Sequence, residues 1–359
     1  MEKILIMSTP VGPLGTGLGG GVELTIYNLC GELAARGYKI KVVAPKNSYL
    51  DNVEIIEVDG NLHTPAQTQS RDTPIIMPAN SVLANMWEMA RQLESQYDVI
   101  VNFAFDWLPF YLTPFFSTPI AHFISMCSLS EGLDEIMGKI AAKYPKNFAT
   151  YTKSQANTFP FGDKCQCLES GIDLSLYQFQ PTPQRKLAWL GRIAPEKALE
   201  DAVAAAEKAQ IPLLIFGKIQ DGEYWQKVQT QFPNAPFEYK GFLRTKELQS
   251  QLRDCLGVLM TPRWVEAFGN VVIEALACGV PVISYARGGP AEIIIDGKTG
   301  FLVTPDSIEG LVEAIKRLEE INRYDCRRLV EEKYSLEAWG KRFEEWLLQV
   351  YHTSRSFVS

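Results

Sequence analysis

Two glutamates eight residues apart, Glu266 and Glu274, stand in the segment EAFGNVVIEALACGVPVIS. Glu266 is expected in a loop. Gly269 and Asn270 open a helix that places Glu274 about one turn in, Gly279 closes it, and Pro281 starts the next strand. A helix start presents unpaired N–H donors and a partial positive charge, which suits a phosphate. Carboxylates accept strong hydrogen bonds from ribose or hexose hydroxyls. One short segment can therefore hold phosphate, ribose and hexose together. A solvated helix face is the alternative for Glu274. Its neighbours Val271, Val272, Ile273, Ala275, Leu276 and Ala277 are all apolar, however, and a carboxylate in that setting needs a partner.

Cations come from LGRIAPEKALEDAV, where Arg192 follows a strand and Lys197 opens a helix. Two cations at a strand end can hold a diphosphate and stabilise its charge as it leaves. Solvation without a task is the competing account of such long side chains. A third segment, the turn GTGLGGGVE, brings backbone N–H groups within reach of an anion or a sugar. Its glycines also approximate G-x-G-x-x-G, so an NAD-dependent oxidoreductase is a rival. That reading wants an acidic residue at the end of the second strand, and KIKVVAPKNS ends in Pro45 and Lys46 instead.

These segments sit in a repeating pattern of strand, turn and helix. KILIMS, KIKVVAP, VEIIEV, YDVIVNF and PIAHFISM read as strands. VELTIYNLCGELAARG reads as a helix ending at Gly37, and SVLANMWEMARQLESQ as another. The pattern restarts near Lys186 and continues to IEGLVEAIKRLEEI, expected as the last helix of the second unit. Such alternation implies parallel sheets covered by helices. The expected fold class is α/β, with two Rossmann-like doubly wound domains facing across a cleft. The expected division is 1–170, 171–340 and a C-terminal helix over 341–359 that crosses back to the first domain, with the joint around Ser170 to Pro183.

A chain of 359 residues is long for one core, which agrees with two domains. A net charge of −7 speaks against a nucleic-acid partner, because neutralising phosphates needs a basic surface. The apolar run Ile4 to Met7 is too short for a secretory signal, so a cytoplasmic protein is expected. The seven cysteines, odd in number and without repeated spacing, are expected as reduced thiols. Cys165 and Cys167 lack partners at zinc-ligand spacing, and no metal site is expected. Trp107 to Ser130 carries no formal charge and is rich in aromatics. Pro109, Pro114 and Pro119 argue against a membrane helix. A buried strand plus loop is expected there; a lipid-facing or acceptor-facing surface is the alternative, which would put the protein at the inner face of the membrane. Only His352 to Ser359 looks disordered.

Together these segments resemble the retaining glycosyltransferases of family 4, which have the GT-B fold, over nearly the whole chain. Glu266 and Glu274 match the E-x7-E element, and Arg192 and Lys197 match the GR…EK element. GGPAEIIIDGKTGFLV resembles the stretch after the donor site, and SGIDLSLYQF the interdomain segment. The resemblance implies that Glu266 binds hydroxyls of the transferred sugar and Glu274 those of the ribose. Arg192 and Lys197 would bind the diphosphate, and Phe268, Gly269 and Asn270 would hold sugar and phosphate through their backbone. Gly217, Leu243 and the backbone over 241–244 would serve the nucleotide. Gly19, Gly20 and Gly21 would serve from the first domain. No metal or other cofactor is implied. Where many relatives carry an active-site histidine this chain has Ser125, with His122 three residues earlier. Strand residues three apart face opposite sides, so His122 is expected in the core and Ser125 at the donor sugar.

The opening STPVGPLGTGLGGGVELT and the run SMCSLSEGLDEI resemble cyanobacterial members of the family. Two kinds are implied, builders of heterocyst envelope polysaccharide and glucosyltransferases acting on tetrahydrobiopterin. Both imply UDP-glucose as donor. The expected reaction is glucose transfer with retention, by front-face displacement through an oxocarbenium-like transition state. The acceptor, whether a saccharide, a lipid-linked saccharide or a pteridine, is expected to meet residues 60–80 and 104–145. A non-catalytic nucleotide-sugar-binding protein is a further alternative.

Overall fold

The computed structural model describes residues 1–16 and 20–355. The chain forms two compact units. Unit 1 is Met1–Gly171 joined by the C-terminal helix from Leu336, and unit 2 is Ile172–Ser335.

Unit 1 runs β1 (Lys3–Met7), α1 (Gly21–Ala35), β2 (Lys39–Pro45), β3 (Glu54–Val58), α2 (Val82–Leu93), β4 (Val99–Asn102), α3 (Trp107–Leu112), β5 (Ile120–Phe123), α4 (Glu131–Lys143), β6 (Phe148–Thr150), α5 (Lys153–Ala156) and β7 (Gln166–Cys167). Its sheet has the order β3-β2-β1-β4-β5-β6-β7, all parallel. Ile4 to Met7 are fully buried, as expected for a central strand covered on both faces. Gly37 takes φ +90° just past α1, the left-handed conformation its position calls for. The Ser81 hydroxyl caps α2 by accepting from Ala84 N–H at 3.2 Å. The uncharged aromatic run is not simply strand plus loop. Trp107–Leu112 is a helix, because Pro109 sits in its first turn, where no backbone donor is needed. Tyr111 within it and Phe115 after it stay exposed.

Unit 2 runs β8 (Gln184–Leu190), α6 (Leu199–Ala209), β9 (Leu213–Phe216), α7 (Gly222–Gln231), β10 (Phe237–Gly241), α8 (Thr245–Leu252), β11 (Cys255–Met260), α9 (Asn270–Ala277), β12 (Val282–Tyr285), α10 (Pro290–Ile293), β13 (Gly300–Val303), α11 (Ile308–Lys316) and α12 (Arg323–Leu329). Its parallel sheet has the order β10-β9-β8-β11-β12-β13. α11 is not the last helix of this unit, since α12 follows it. The Arg323 guanidinium anchors α12 to the carbonyls of Gln180, Arg253 and Cys255 at 2.7, 2.7 and 2.9 Å. Only seven residues long, α12 has no long apolar stripe for sequence periodicity to detect.

The last helix, α13 (Leu336–Arg355), lies on unit 1. Glu344 accepts from Tyr38 O–H at 2.6 Å and pairs with Arg36 at 3.2 Å. Phe343 stacks at 6.4 Å from Phe103, and the Trp346 indole donates to Lys146 O at 2.9 Å. All seven cysteines are free. Among the described residues no helix is long and apolar enough to cross a membrane.

Candidate active site

Unit 2 changes strand direction of growth between β8 and β11, and in open α/β sheets that switch point is where ligands bind. The segments after these two strands carry the expected residues. Arg192 follows β8, and Lys197 ends a single tight turn, Pro195–Lys197. Ala198 takes φ +45° to start α6, whose Leu199 is fully buried, so the turn is tied to the core. After β11, Arg263 N–H donates to Glu196 O at 2.9 Å, joining the two segments. The Arg263 side chain pairs with Glu200 at 2.5 Å and Asp201 at 2.9 Å, and Tyr285 O–H donates to Asp201 at 2.8 Å. Burial raises the Asp201 carboxyl, opposed by the Tyr285 hydrogen bond and the Arg263 charge.

On this frame Lys197 Nζ meets Glu266 Oε2 at 2.7 Å and Oε1 at 3.0 Å. Both side chains are mostly sheltered, at 15% and 17% exposure. The Trp264 indole N–H donates to Glu266 Oε2 at 2.7 Å. Lys197 Nζ lies 4.8 Å and Arg192 Cζ 5.8 Å from a Trp264 ring centroid, within cation–π range. Arg192 also pairs with Glu196 at 3.2 Å and hydrogen-bonds the Gln220 side chain. The backbone of Glu266 is held closely too. Gly289 N–H donates to its carbonyl at 2.7 Å, and a Cβ on Gly288, at φ +68°, would lie 2.6 Å from its nitrogen. Only glycine fits there.

Gly269 caps α9 at φ +99°, leaving the donors of Asn270 and its neighbours at the helix start. Phe268 is buried, with its ring 6.0 Å from Tyr334. Glu274 lies in α9 between buried Ile273 and Ala275, with Tyr177 O–H as partner. Desolvation raises its carboxyl to about 7, and the Tyr177 hydrogen bond opposes that rise. Gly217 ends β9, donating to Gly241 O at 2.9 Å, and half-buried Leu243 follows β10. The structure thus gathers Arg192, Lys197 and Glu266 at one point. Trp264 and Tyr177 were not found by sequence reasoning. An aromatic two residues before Glu266 was the available signal for Trp264; Tyr177 is distant in sequence and had none.

The remaining expected residues belong to unit 1. Gly20 precedes α1 at φ +60° and Gly21 is its first residue, both exposed, while Gly19 lies outside the described residues. Ser125 is buried beyond the end of β5, so the argument from opposite strand faces does not govern it. Gln155 Nε2 donates to Ile124 O and Met126 O on either side of it, at 2.8 and 2.9 Å. His122 is fully buried between the rings of Phe110 and Phe148, at 4.6 and 5.2 Å. Asn102 Nδ2 lies 3.2 Å from its Nδ1 and Thr113 Oγ1 2.9 Å from its Nε2. Desolvation pushes it down to about 3, so it is neutral at pH 7.

Two family models match the chain. Residues 178–336 match glycosyl transferases group 1, and residues 19–124 match glycosyltransferase family 4. Together they span more than half of it, and the chain belongs to the family-4-like glycosyltransferases of GT-B fold. It is 32% identical over 172 residues to the sulfoquinovosyl transferase SQD2 of Arabidopsis thaliana, covering 42% of this chain and 33% of that protein. It is 33% identical over 110 residues to sucrose synthase isoform 1 of Daucus carota, covering 28% and 14%. The chain spans a third or less of the length of these curated relatives. The solved structure of HepE from Anabaena with UDP aligns with a TM-score of 0.78 at 15% identity, over 97% of this chain and 100% of that one. Sucrose-phosphate synthase from Thermosynechococcus elongatus aligns with a TM-score of 0.75 at 18% identity, over 98% and 100%. At these identities the fold is what is shared.

Proposed function

We propose that this glycosyltransferase transfers glucose from UDP-glucose with retention of configuration, in the assembly of an envelope polysaccharide. The observation that carries the reading is the convergence of Arg192, Lys197 and Glu266 at the switch point of unit 2. Two cations at that point suit a diphosphate, and a carboxylate beside them suits sugar hydroxyls. Glu274, one helical turn into α9, is assigned to the ribose. HepE, solved with UDP-glucose as well, aligns over 97% of this chain with a TM-score of 0.73 at 16% identity, which supports the choice of donor. An oxidoreductase reading wants an acidic residue ending β2, but that strand ends in Pro45, and the Asp59 carboxylate beside it is engaged by Lys46 at 2.9 Å.

Catalysis on this reading is electrostatic. Charge grows on the diphosphate as the glycosidic bond lengthens, and Arg192, Lys197 and the α9 N-terminus stabilise it where it grows. No metal is needed for that task. The glucose is held for front-face attack by the acceptor hydroxyl.

Calorimetry against UDP-glucose, other nucleotide sugars and NAD tests the donor, followed by assay of UDP release. Lys197→Ala should cut UDP release about 100- to 1,000-fold while circular dichroism stays unchanged. NAD binding in place of UDP, or near-normal turnover in the variant, would sink the reading. Product mass with oligosaccharide and with reduced pteridine acceptors decides between the two acceptor classes.

A further inference from the structure

Three groups of unlike chemistry meet on one side chain that neither the family motif nor the reaction assigns. Trp264 gives its indole N–H to Glu266 Oε2 at 2.7 Å, and its rings lie beneath Lys197 Nζ at 4.8 Å and Arg192 Cζ at 5.8 Å. Its neighbours leave it little freedom. Pro262 O accepts from Arg287 at 3.0 Å, and Arg263 is tied through backbone and side chain to Glu196, Glu200 and Asp201. The chain leading into Trp264 is therefore anchored within unit 2.

In the free molecule Lys197 and Glu266 neutralise each other, and Glu266 Oε2 accepts from Lys197 and Trp264 together. A diphosphate carries more charge than one carboxylate and competes for Lys197. When it wins, Glu266 loses its cation in a site mostly shut off from water. A sheltered carboxylate left without a donor is unfavourable. The indole N–H prevents that state by keeping Oε2, while Oε1, which holds only Lys197, is released to a sugar hydroxyl.

We infer that Trp264 is a positioning residue that couples the diphosphate end of the donor site to the sugar end: its ring seats the two cations and its N–H aims Glu266 at the transferred sugar. This rests on the reading of Lys197 and Glu266 as donor ligands. It predicts that the two roles separate by substitution. Trp264→Phe keeps a ring and removes the donor. UDP affinity should stay within about threefold of wild type, while kcat for UDP release from UDP-glucose falls about 10- to 100-fold, the worth of one hydrogen bond to a charged group. Trp264→Leu removes the ring too and should also weaken UDP about 3- to 10-fold. Trp264→Phe combined with Glu266→Gln should be no slower than Glu266→Gln alone, because the indole acts through that carboxylate.

Unchanged kcat in Trp264→Phe, or full additivity in the double variant, overturns the inference while wild-type turnover leaves the donor reading standing. Equal losses of UDP affinity and kcat in Trp264→Phe, with a lowered melting temperature, overturn it in favour of a structural ring. Failure of the wild type to bind UDP overturns the donor reading, and this inference with it.

Discussion

Glu274 shows how a carboxylate can be placed against its own charge. Burial desolvates it, Tyr177 supplies one hydrogen bond, and the balance raises its carboxyl to about 7. Because the folded value lies above the ordinary 4.5, the folded state holds the proton more tightly. The stabilisation is fully present below about pH 4.5 and is lost as pH rises through about 7. Glu274→Gln cannot titrate. Its unfolding midpoint minus that of the wild type should rise across that window by the equivalent of about 1–3 kcal/mol, measured by denaturant titration at several pH values. A difference that stays flat with pH would contradict the assignment. Sequence alone stated the need, a carboxylate among Val272, Ile273 and Ala275. It could not supply Tyr177, 97 residues earlier in the chain. The same holds for His122. Its neutral state comes from burial, against Phe110 and Phe148, which reach it only after the strands pair.

At the scale of elements, the ends of neighbouring strands are shaped by the absence of side chains. Gly217 at the end of β9 has φ +141°, and a Cβ there would lie 1.8 Å from Gly191 O, just past β8. No rotamer relieves a clash with backbone. Gly217→Ala should therefore cost on the order of 3 kcal/mol or more and lower the melting temperature measured by circular dichroism. A melting curve like that of the wild type would show that β8 and β9 part more easily than their packing implies. The long, patterned elements were legible: strands as short apolar runs, α1 by its closing Gly37, and α2 as the helical run SVLANMWEMARQLESQ. α3 was hidden because Pro109 reads as a breaker unless its place in the first turn is known. α12 was hidden because seven residues are too few to show a period.

Over the whole molecule, the two sheets divide the expected site residues. Arg192, Lys197, Glu266 and Glu274 belong to unit 2, and Gly20, Gly21 and Ser125 to unit 1. A ligand that binds only the folded chain stabilises it in proportion to its occupancy. UDP at 100 times its Kd should add about 2.7 kcal/mol and raise the melting transition of its unit by roughly 5–10 °C. A scan with UDP and, as control, NAD checks this, and no UDP shift would exclude a nucleotide site. The sequence by itself determined the α/β class, the two repeating units and the residues at the strand ends, because strand, turn and helix periods and E-x7-E and GR…EK spacings are local properties. Tertiary structure decided which of those residues meet. Lys197 and Glu266 are 69 residues apart and touch only because β8 and β11 pair in parallel and bring their following segments together. Trp264 acquires its place between them by the same pairing, and no spacing along the chain records it. The two glutamates and Lys197 could be read from the chain, but the pairing of Lys197 with Glu266, the indole beside them, and the tyrosine near Glu274 came only from the fold.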